Sequence, residues 1–324
     1  MTIRTKLLAA VLAAFMWSLS VDASAWGTKG HMMVAFIAYQ QLTAATRARV
    51  DALVALNPQF KTWKTLIPST VPTSDQPAML FMIAATWPDR IKSDPGFSDD
   101  GTHNGNRPDG PPSSQNTGYT DTLRHKYWHF VDRPFSKDGT PLPMVPTPNE
   151  QDRIHLFRQV LASTTATDEL KSYDLVWLLH LVGDAHQPLH DATRVRAAEP
   201  EGDDGGNAVV VCASAPCNQT NERIKLHAFW DGALGNQSSV VTAANAAKNL
   251  PAADNGAASI TDEGTWVQEG FELAQSNVYK APIGKGGGPF SLTAAYRNAT
   301  HALAVKQVAL AGARLANVLN AELK

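Results

Sequence analysis

The segment HLVGDAHQPLH, residues 180 to 190, contains the densest group of side chains that can bind a metal ion. His180 and Asp184 are four residues apart, so on a helix they lie on one face and can hold one ion between them. Pro188 disfavours a continued helix, which leaves His190 able to reach a different ion. This segment alone therefore offers ligands for two ions.

Other histidines and aspartates occur in four further elements. His227 and Asp231 repeat the four-residue spacing in LHAFWDGAL, His129 begins HFVD, Asp89 lies in WPDR, and His31 ends WGTKGH. None of these elements contains cysteine, which argues against a structural zinc-finger site, whereas mixed His and Asp ligands suit a catalytic zinc that keeps room for water. A single such pair is more often a surface ion pair, but the combination predicts a metal centre.

The elements that must position these residues are mainly helical. The clearest strand signal is NAVVV at 207–211, and two loop-rich regions, 94–121 and 197–221, surround the motifs. Loops of this length in a compact domain are commonly functional or disordered. Thr43 is a candidate N-cap. Helical periodicity occurs at 34–42, 44–56, 77–85, 153–163, 173–184, 224–234, 264–276 and 292–323.

The first 25 residues have the organisation of a secretory signal peptide. Basic residues precede an apolar run at 7–19, and the triplet ASA at 23–25 has the form that signal peptidase cuts after. We therefore predict cleavage between Ala25 and Trp26 and a secreted or periplasmic protein. An uncleaved anchor is the alternative, but the run is short for a membrane span and we identify no second apolar segment of about 20 residues.

Composition limits the classes of function. The chain has 28 basic and 30 acidic residues, a net charge of −2, and removal of residues 1–25 leaves −3. This is not the basic balance of a protein that binds nucleic acid through lysine and arginine alone, so an anionic substrate would need another source of positive charge. No repeat or Pro/Ser-rich linker divides the chain, which predicts one domain over 26–324. In an oxidising compartment the only two cysteines, Cys212 and Cys217, are expected to form a disulfide.

The order of these motifs resembles the type I nucleases, which are zinc-dependent, single-strand-specific nucleases of fungi, plants and bacteria related in fold to bacterial zinc phospholipase C. The shared motifs are Trp-Gly-x-x-x-His, Trp-x-Asp, His-Phe-x-Asp, His-x-x-Gly-Asp-x-x-Gln-Pro-Leu-His, Gly-Gly-Asn and His-x-x-x-Asp, and the similarity extends from Trp26 to RLANVLN at 314–320. The resemblance implies a mainly α, single-domain helical fold of the phospholipase C/nuclease type, with long loops around a cleft that holds three Zn²⁺ ions.

Carried over motif by motif, the resemblance implies nine zinc ligands. Trp26 would bind through its free α-amino nitrogen and its carbonyl oxygen, because the lone pair of an amide nitrogen is delocalised into the peptide bond. Cleavage after Ala25 would thus complete the site. One ion would be held by Asp89, His129, His180 and Asp184, the second by His190, His227 and Asp231, and the third by Trp26, His31 and the shared Asp184.

The resemblance also implies residues that act on the substrate, with Asp89 counted among the catalytic groups. The family has an arginine three residues after this metal-binding aspartate, where the chain has Lys92. Lysine supplies charge without the bidentate fork of a guanidinium, and Arg90 would point elsewhere on a helix, which leaves the identity of the cationic group open. Asn207 would donate to the phosphate, or alternatively would be a turn asparagine beside glycines.

Phe130 and Asp132 would bind an unpaired base by stacking and hydrogen bonding, although Phe130 could equally be a core residue. His186 lies inside the richest motif but not at a ligand position, and we expect it to support the site or the fold. The other histidines have no pattern around them and are expected to be ordinary polar residues. They are His103, His125, His155 and His301.

The implied function is that of an exported, monomeric endonuclease without stable membrane association. It would cleave single-stranded DNA and RNA to 5′-phosphate ends and would also act as a 3′-nucleotidase on nucleotides. Phospholipase C or broad phosphodiesterase activity is an alternative that would use the same metal ligands. An exported zinc-binding protein without catalysis is a further alternative, which the mixed ligands disfavour.

Overall fold

A computed structural model describes residues 26–213, 216–217, 222–236 and 238–323. The predicted signal peptide at 1–25 lies outside the described residues. Within the described ranges the chain is mainly helical, as the sequence predicts. The helices are α1 (Thr28–Gln41), α2 (Ala44–Val54), α3 (Phe60–Thr65), α4 (Gln76–Ala84), α5 (Trp87–Ile91), α6 (Thr102–Gly105), α7 (Glu150–Ala162), α8 (Asp168–Asp184), α9 (Leu226–Asp231), α10 (Val240–Lys248), α11 (Asn255–Ala258), α12 (Glu263–Leu273) and α13 (Ala294–Glu322).

The strands are short and form two small sheets. They are β1 (Arg107–Pro108), β2 (Arg133–Ser136), β3 (Ala192–Val195), β4 (Val210–Cys212), β5 (Arg223–Lys225) and β6 (Phe290–Ser291). Strands β2 and β3 pair in parallel and form one sheet. In the other sheet β4 lies between β5, which is antiparallel to it, and β6, which is parallel to it.

Local capping determines several helix starts. The Thr43 side chain accepts a hydrogen bond of 3.1 Å from the backbone N–H of Thr46, so the predicted N-cap of α2 is confirmed. Thr167 caps α8 in the same way by accepting from the N–H of Leu170. Helix α8 therefore begins at Asp168, five residues before the periodicity predicts.

Two predictions near the second sheet are wrong. The helix predicted from residue 224 begins only at Leu226, because the preceding residues pair with β4 as strand β5. The strand predicted at 207–211 begins only at Val210, as β4. Asn207 belongs to a turn instead, because its backbone N–H donates to the carbonyl of Asp204. Pairing between distant segments decides both boundaries.

The main hydrophobic core surrounds α8, whose residues from Ser172 onward are all buried. Helices α1, α2, α5, α7 and α13 pack around it. Gly312 permits the close approach of α13 to α1, since a Cβ at this position would lie 2.6 Å from the side chain of Ile37 and 3.0 Å from the carbonyl oxygen of Val34. A second apolar cluster joins β2, β3 and β4 to α9 and to the segment that follows α12.

Helix α13 is long and apolar enough to cross a membrane, with a mean hydropathy of 1.3 over its best window, contrary to our expectation that no second such segment exists. Of that window, 67% is buried inside the protein. Arg314 lies in this helix with no exposed surface and pairs with Glu269 at 2.6 Å. These features are typical of a core helix.

The predicted disulfide between Cys212 and Cys217 is present. It closes the loop that follows β4, and the Cα atoms of the two cysteines are 5.4 Å apart. The bond ties the end of β4 to a segment whose N–H at Cys217 donates to the hydroxyl of Ser291 in β6.

Candidate metal centre

The eight predicted ligands that bind through their side chains come from separate elements and converge in the interior. Helix α8 supplies His180 and Asp184 from its last two turns, on the single face that the four-residue spacing predicts. All eight are buried or nearly so, the side chain of Asp89 being the most exposed at 11%. Besides His180 and Asp184, the ligands are His31 from α1, Asp89 from α5, His129 from the 3₁₀ turn at 126–129, His190 from the loop after α8, and His227 and Asp231 from α9.

The Asp184 carboxylate lies at the centre of the larger group. Its Oδ2 atom is 3.0 Å from Nδ1 of His129 and 3.3 Å from Nε2 of His180. Its Oδ1 atom is 3.2 Å from Nε2 of His31. One carboxylate thus has an oxygen directed at each of two sets of imidazoles, as a ligand shared by two ions requires.

Asp89 faces the same group from α5. Its Oδ1 is 3.4 Å from Nε2 of His180 and 3.9 Å from Nδ1 of His129, and its Oδ2 is 4.0 Å from Nε2 of His31. The side-chain atoms of His31, Asp89 and His180 that can bind a metal ion therefore lie within 4.8 Å of one another. The same holds for His129, His180 and Asp184.

A separate group consists of His190, His227 and Asp231, whose donor atoms also lie within 4.8 Å of one another. The Nε2 atoms of the two histidines are 3.2 Å apart, and Nε2 of His227 is 3.4 Å from Oδ2 of Asp231. Gln187 supports this group, because its side-chain amide donates to Oδ1 of Asp231 at 2.7 Å.

The hydrogen bonds of the imidazoles show that these residues fit a metal cation. Nδ1 of His180 donates to the carbonyl of Ala85 at 2.7 Å, Nδ1 of His227 donates to the carbonyl of Gly205 at 2.8 Å, and Nδ1 of His190 donates to the carbonyl of His129. A neutral imidazole that uses its proton in this way carries a lone pair on Nε2. Two lone pairs then face each other across 3.2 Å, an arrangement that a cation between them stabilises.

Burial sets the protonation that such ligation needs. It lowers the pKa of His227 to about 4 and lowers the pKa of His190 well below its ordinary value, so both imidazoles are neutral near pH 7. Burial, followed by the charge of Asp89, raises the pKa of Asp184, and burial likewise raises the pKa of Asp231. Ionising these buried carboxyl groups therefore costs free energy. A divalent cation would offset this cost by stabilising the ionised carboxylates.

Trp26 lies beside these groups. Its side chain has no exposed surface, and the backbone N–H of the next residue, Gly27, donates to the carbonyl of Asp231 at 2.8 Å. Gly30, in the first turn of α1, leaves room for the Trp26 side chain, since a Cβ at this position would lie 2.5 Å from Cβ of Trp26. The main chain at Trp26 is thus held next to the ligand-bearing end of α9.

Lys92, rather than Arg90, is at the centre. The ammonium of Lys92 is 2.8 Å from Oδ1 of Asp89, and its side chain is 7% exposed. Burial opposes the ionised form of Asp89, but the charge of Lys92 outweighs it and lowers the pKa of this carboxyl. Arg90 is exposed on the other side of the same short helix.

Phe130 and Asp132 line a cavity of about 300 Å³, and Phe130 directly follows the proposed ligand His129 in the chain. The backbone N–H of Asp132 donates to the carbonyl of His190 at 3.2 Å. Phe130 also packs in part against the main core. It is therefore a core residue as well as a candidate for stacking on a base. Burial and the charges of Asp204 and Asp203 raise the pKa of Asp132, while Arg107 lowers it.

Asn207 adopts the turn conformation that was the alternative to a role in phosphate binding. Its side-chain amide donates to the carbonyl of Asp204 at 2.9 Å, and its Oδ1 atom is buried without a hydrogen-bond partner among the described residues. The first glycine of the Gly-Gly-Asn motif has a role that motif reading missed. Gly205 has a φ of +55°, and a Cβ there would lie 2.6 Å from the carbonyl oxygen of Leu189, so glycine lets its own carbonyl orient His227.

His186 supports the fold, as expected. Its Nδ1 donates to the carbonyl of Val182 at 2.8 Å, and its Nε2 accepts from the guanidinium of Arg314 at 3.1 Å. Burial and the charge of Arg314 lower its pKa to about 3. The arginine of the RLANVLN segment therefore links the end of α8 to α13.

His125 is not the ordinary polar residue that we expected. It has no exposed surface, and its Nδ1 and Nε2 lie 2.5 Å from Asp100 and 2.7 Å from Asp121. Its ring also stacks on Trp128 at 3.6 Å, next to the proposed ligand His129. The two aspartates are near the ends of the long loop, so one buried histidine closes that loop at its base. Asp121 is four residues from His125, but Asp100 is 25 residues away, and that spacing gave no signal of the contact.

This arrangement predicts a pH-dependent contribution to stability. We expect His125→Gln to lower the free energy of unfolding by about 3 kcal/mol at pH 5 to 6, because it leaves buried carboxylates without a cation. Burial opposes the charged imidazole, but the hydrogen bonds to Asp100 and Asp121 outweigh it and raise the pKa of His125. Because the pKa of His125 is higher in the folded protein, protonation of this imidazole stabilises the fold. The stabilisation is complete below the unfolded-state pKa of about 6.5 and is lost as pH rises through the folded-state pKa.

Urea unfolding of the wild-type protein and the variant across this pH range measures the effect. The deficit of the variant should shrink as pH rises above the folded pKa. His155→Gln is the matched control, because His155 is 62% exposed and its loss should cost little at any pH. A deficit of His125→Gln that does not change with pH would show that the imidazole is neutral in the fold.

A family model described as S1/P1 nuclease matches residues 26–324, a range that contains all nine proposed ligands. No curated protein matches the chain.

Proposed function

The chain belongs to the S1/P1 nuclease family, and on that premise we propose that it is a zinc-dependent endonuclease that cleaves single-stranded DNA and RNA. We further propose that it leaves 5′-phosphate ends, acts on 3′-nucleotides, and works as an exported monomer without stable membrane association. Family membership itself means that the protein is a hydrolase of phosphodiester bonds in nucleic acids and depends on metal ions.

The facing imidazoles are the observation that carries the zinc proposal. His190 and His227 each present a lone pair on Nε2 across 3.2 Å, while Asp231 completes a set of two nitrogens and one carboxylate. Imidazole and carboxylate together suit zinc, and three protein ligands leave a position for water or substrate. The set around Asp184 has the same chemistry.

We assign the nine ligands as the motifs imply. Asp89, His129, His180 and Asp184 would hold one ion, His190, His227 and Asp231 a second, and the amino-terminal nitrogen and carbonyl of Trp26 would join His31 and Asp184 at a third. Zinc at these positions would supply Lewis acidity and would lower the pKa of a bound water towards about 7.

The protein's own residues then bind and orient the substrate. Lys92 supplies a buried positive charge for the phosphate near Asp89, and an amide rotation would free Asn207 from its turn to donate to a phosphate oxygen. Phe130 offers a ring on which a base can stack, and Asp132 can accept hydrogen bonds from the base edge. A base reaches such a cavity only when it is unpaired, which supports a preference for single strands.

The function is tested by supplying the zinc-loaded protein that begins at Trp26 with several phosphodiesters. We expect release of acid-soluble nucleotides from heat-denatured DNA and from RNA, with slower release from duplex DNA, and 5′-phosphate groups on the products. Faster release of phosphocholine from lecithin than of nucleotides would favour the phospholipase alternative. Tight zinc binding without hydrolysis of any substrate would favour a zinc-binding protein.

Lys92 provides a prediction about the cationic group. We expect Lys92→Ala to lower kcat on single-stranded DNA by about 100-fold or more, because a buried charge that stabilises the transition state is lost. Lys92→Arg should retain part of the rate, since it keeps the charge with a different geometry. The steady-state rate and the zinc content are measured together, which separates loss of charge from loss of metal.

Arg90→Ala is the matched control for Lys92. It removes a cation two residues away that is exposed and makes no ion pair within the described residues. Its kcat should stay within about twofold of the wild-type value, as for other exposed surface positions. A larger loss for Arg90→Ala than for Lys92→Ala would reverse the assignment.

A further inference from the structure

Strand β5 carries two cations that the proposed metal centre does not use. Arg223 and Lys225 are both exposed, whereas Ile224 between them is half-buried and packs against the second apolar cluster. Side chains alternate between the two faces of a strand, so the two cations lie on one face. Their Cα atoms are separated by two residues of extended chain, which is about 6.6 Å. We call this pair the basic edge.

The sheet leaves the basic edge open to a ligand. Strand β4 is central, with β5 on one side and β6 on the other, so β5 is an edge strand. The register places Lys225 opposite Val210 and Arg223 opposite Cys212. In the part of the chain that the structure describes, no strand pairs with the outer side of β5, and an extended molecule can lie along it.

The basic edge ends at the metal centre. Lys225 is the last residue of β5, and α9 begins at the next residue, Leu226, whose N–H donates to the carbonyl of Val209 at 2.8 Å. The proposed ligand His227 follows two residues after Lys225. A chain that is bound at the centre and leaves it along β5 therefore meets Lys225 first and Arg223 second.

The charge of Lys225 acts on the cleft side of this strand. Asp204 lies beside the centre, because the carbonyl of the next residue, Gly205, accepts from His227 at 2.8 Å. Burial raises the pKa of Asp204, and the charge of Lys225 opposes that shift. Neither Lys225 nor Arg223 has an ion-pair partner within 4.0 Å among the described residues. Both charges thus remain available to an anion that passes over them.

We propose that the basic edge binds the phosphodiester backbone of the substrate strand beyond the scissile phosphate, with Lys225 on the nearest flanking phosphate and Arg223 on the next. This inference rests on the proposed nuclease function and adds a contact surface to it. Proteins that bind single strands follow the backbone with a row of cations. Two residues of a strand and one nucleotide each contain six backbone bonds, so the cations of β5 and successive phosphates of an extended strand have similar spacing.

Contacts of this kind recognise charge and not base. Phosphate contacts position a nucleic acid and carry no sequence information directly, so the basic edge would serve DNA and RNA alike. They also weaken as salt rises, because each bound phosphate releases counterions. The proposal therefore predicts that catalytic efficiency depends on the number of flanking phosphates and on salt.

The experiment measures kcat/KM of the zinc-loaded protein on oligothymidylates with one, two, three or four phosphates. A single base type keeps stacking constant, and product analysis resolves the rate at each bond with and without flanking phosphates on either side. We expect kcat/KM at a bond to rise about three- to fivefold with each of the first two flanking phosphates on one side. It should then level off, because β5 presents two cations.

Variants assign these gains to residues. Lys225→Met should lose the first gain and Arg223→Met the second, whereas Lys225→Arg should keep both. The slope of log kcat/KM against log salt on the longest substrate should fall in magnitude by about 0.7 for each Met variant. Zinc content is measured in every protein, because β5 leads directly into α9 and a displaced ligand would lower the rates at all lengths alike.

A neutral linkage gives an independent test. A methylphosphonate in place of the nearest flanking phosphate removes its charge and keeps the linkage. It should cost the wild-type protein the first gain and cost Lys225→Met nothing further, which a merely structural role of Lys225 would not produce. Lys61→Met is the matched control and should keep both gains, because Lys61 is an exposed lysine on α3, which carries none of the proposed ligands.

The outcomes distinguish this inference from the proposed function. Equal rates at a bond with and without flanking phosphates overturn the basic edge and leave the nuclease intact. Gains that survive in both Met variants also overturn it, and would assign the two cations to keeping the sheet edge from pairing with another chain. No hydrolysis of any oligothymidylate or of single-stranded DNA overturns the proposed function and the basic edge together.

Discussion

Asp184→Asn is expected to lower kcat/KM on single-stranded DNA on the order of 10³-fold, the upper range for removal of one electrostatic group from an active site. The carboxylate has one oxygen 3.0 Å from His129 and the other 3.2 Å from His31. It is therefore the ligand we assign to two ions at once. An amide is a weak, neutral ligand, so the variant should also bind less zinc per molecule than the wild-type protein.

Thermal unfolding separates the metal role of Asp184 from a structural one. Burial and the charge of Asp89 raise the pKa of this carboxyl, so its ionised form costs stability at any pH above the unfolded value of about 3.9. In chelator the variant should consequently be as stable as the wild-type protein or more so. With saturating zinc the order should reverse, because ligands that bind the folded state stabilise it.

Asp168→Asn is the matched control for this change. It makes the same substitution at the start of the same helix, where the side chain is 52% exposed and pairs with Arg49 on the surface. We expect unchanged zinc content and a rate within about twofold of the wild-type value. If Asp184→Asn kept its full zinc content and rate, the shared-ligand assignment would be wrong.

The second large effect concerns the amino terminus. A protein that begins at Trp26 should bind one more zinc ion per molecule than a protein with a single extra residue before it, and should be faster by about 100-fold. The extra peptide bond converts the α-amine into an amide, whose nitrogen cannot coordinate. The position of Trp26 supports this, because the adjacent N–H of Gly27 is bonded to the carbonyl of the proposed ligand Asp231.

The control adds one residue after Lys324 instead, which leaves the amine free. Zinc content by elemental analysis and the rate on single-stranded DNA are measured for all three proteins. Equal zinc content and equal rates for the two amino-terminal forms would refute the chelate. A difference in rate without a difference in zinc would assign the effect to substrate access.

Much of the helical fold and most of the candidate ligands could be predicted from sequence. The i,i+4 spacing of His180 and Asp184 predicts a shared helix face, and the structure shows both on α8. The N-cap at Thr43 and the bond between the two cysteines are equally local features. Such predictions succeed because they depend on backbone geometry within a few residues.

Predictions failed where the outcome depends on a distant segment. Residues 223–225 form a strand because β4 pairs with them, not because of their own periodicity. The role of His125 was missed because its partner Asp100 is 25 residues away. Which of Lys92 and Arg90 lies beside Asp89 was likewise open in the sequence, because it depends on how the short helix α5 packs against α8; in the structure Lys92 points inward.

The sequence by itself determined the helical class, the types of the metal-binding residues and the face on which each local pair lies. Only the tertiary structure decided that one carboxylate, Asp184, has an oxygen for each of two imidazole sets, and that backbone carbonyls orient His180 and His227. The physical reason is the range of the interactions. Hydrogen bonds within a helix turn are encoded locally, whereas contacts between segments separated by tens of residues exist only after the core has packed.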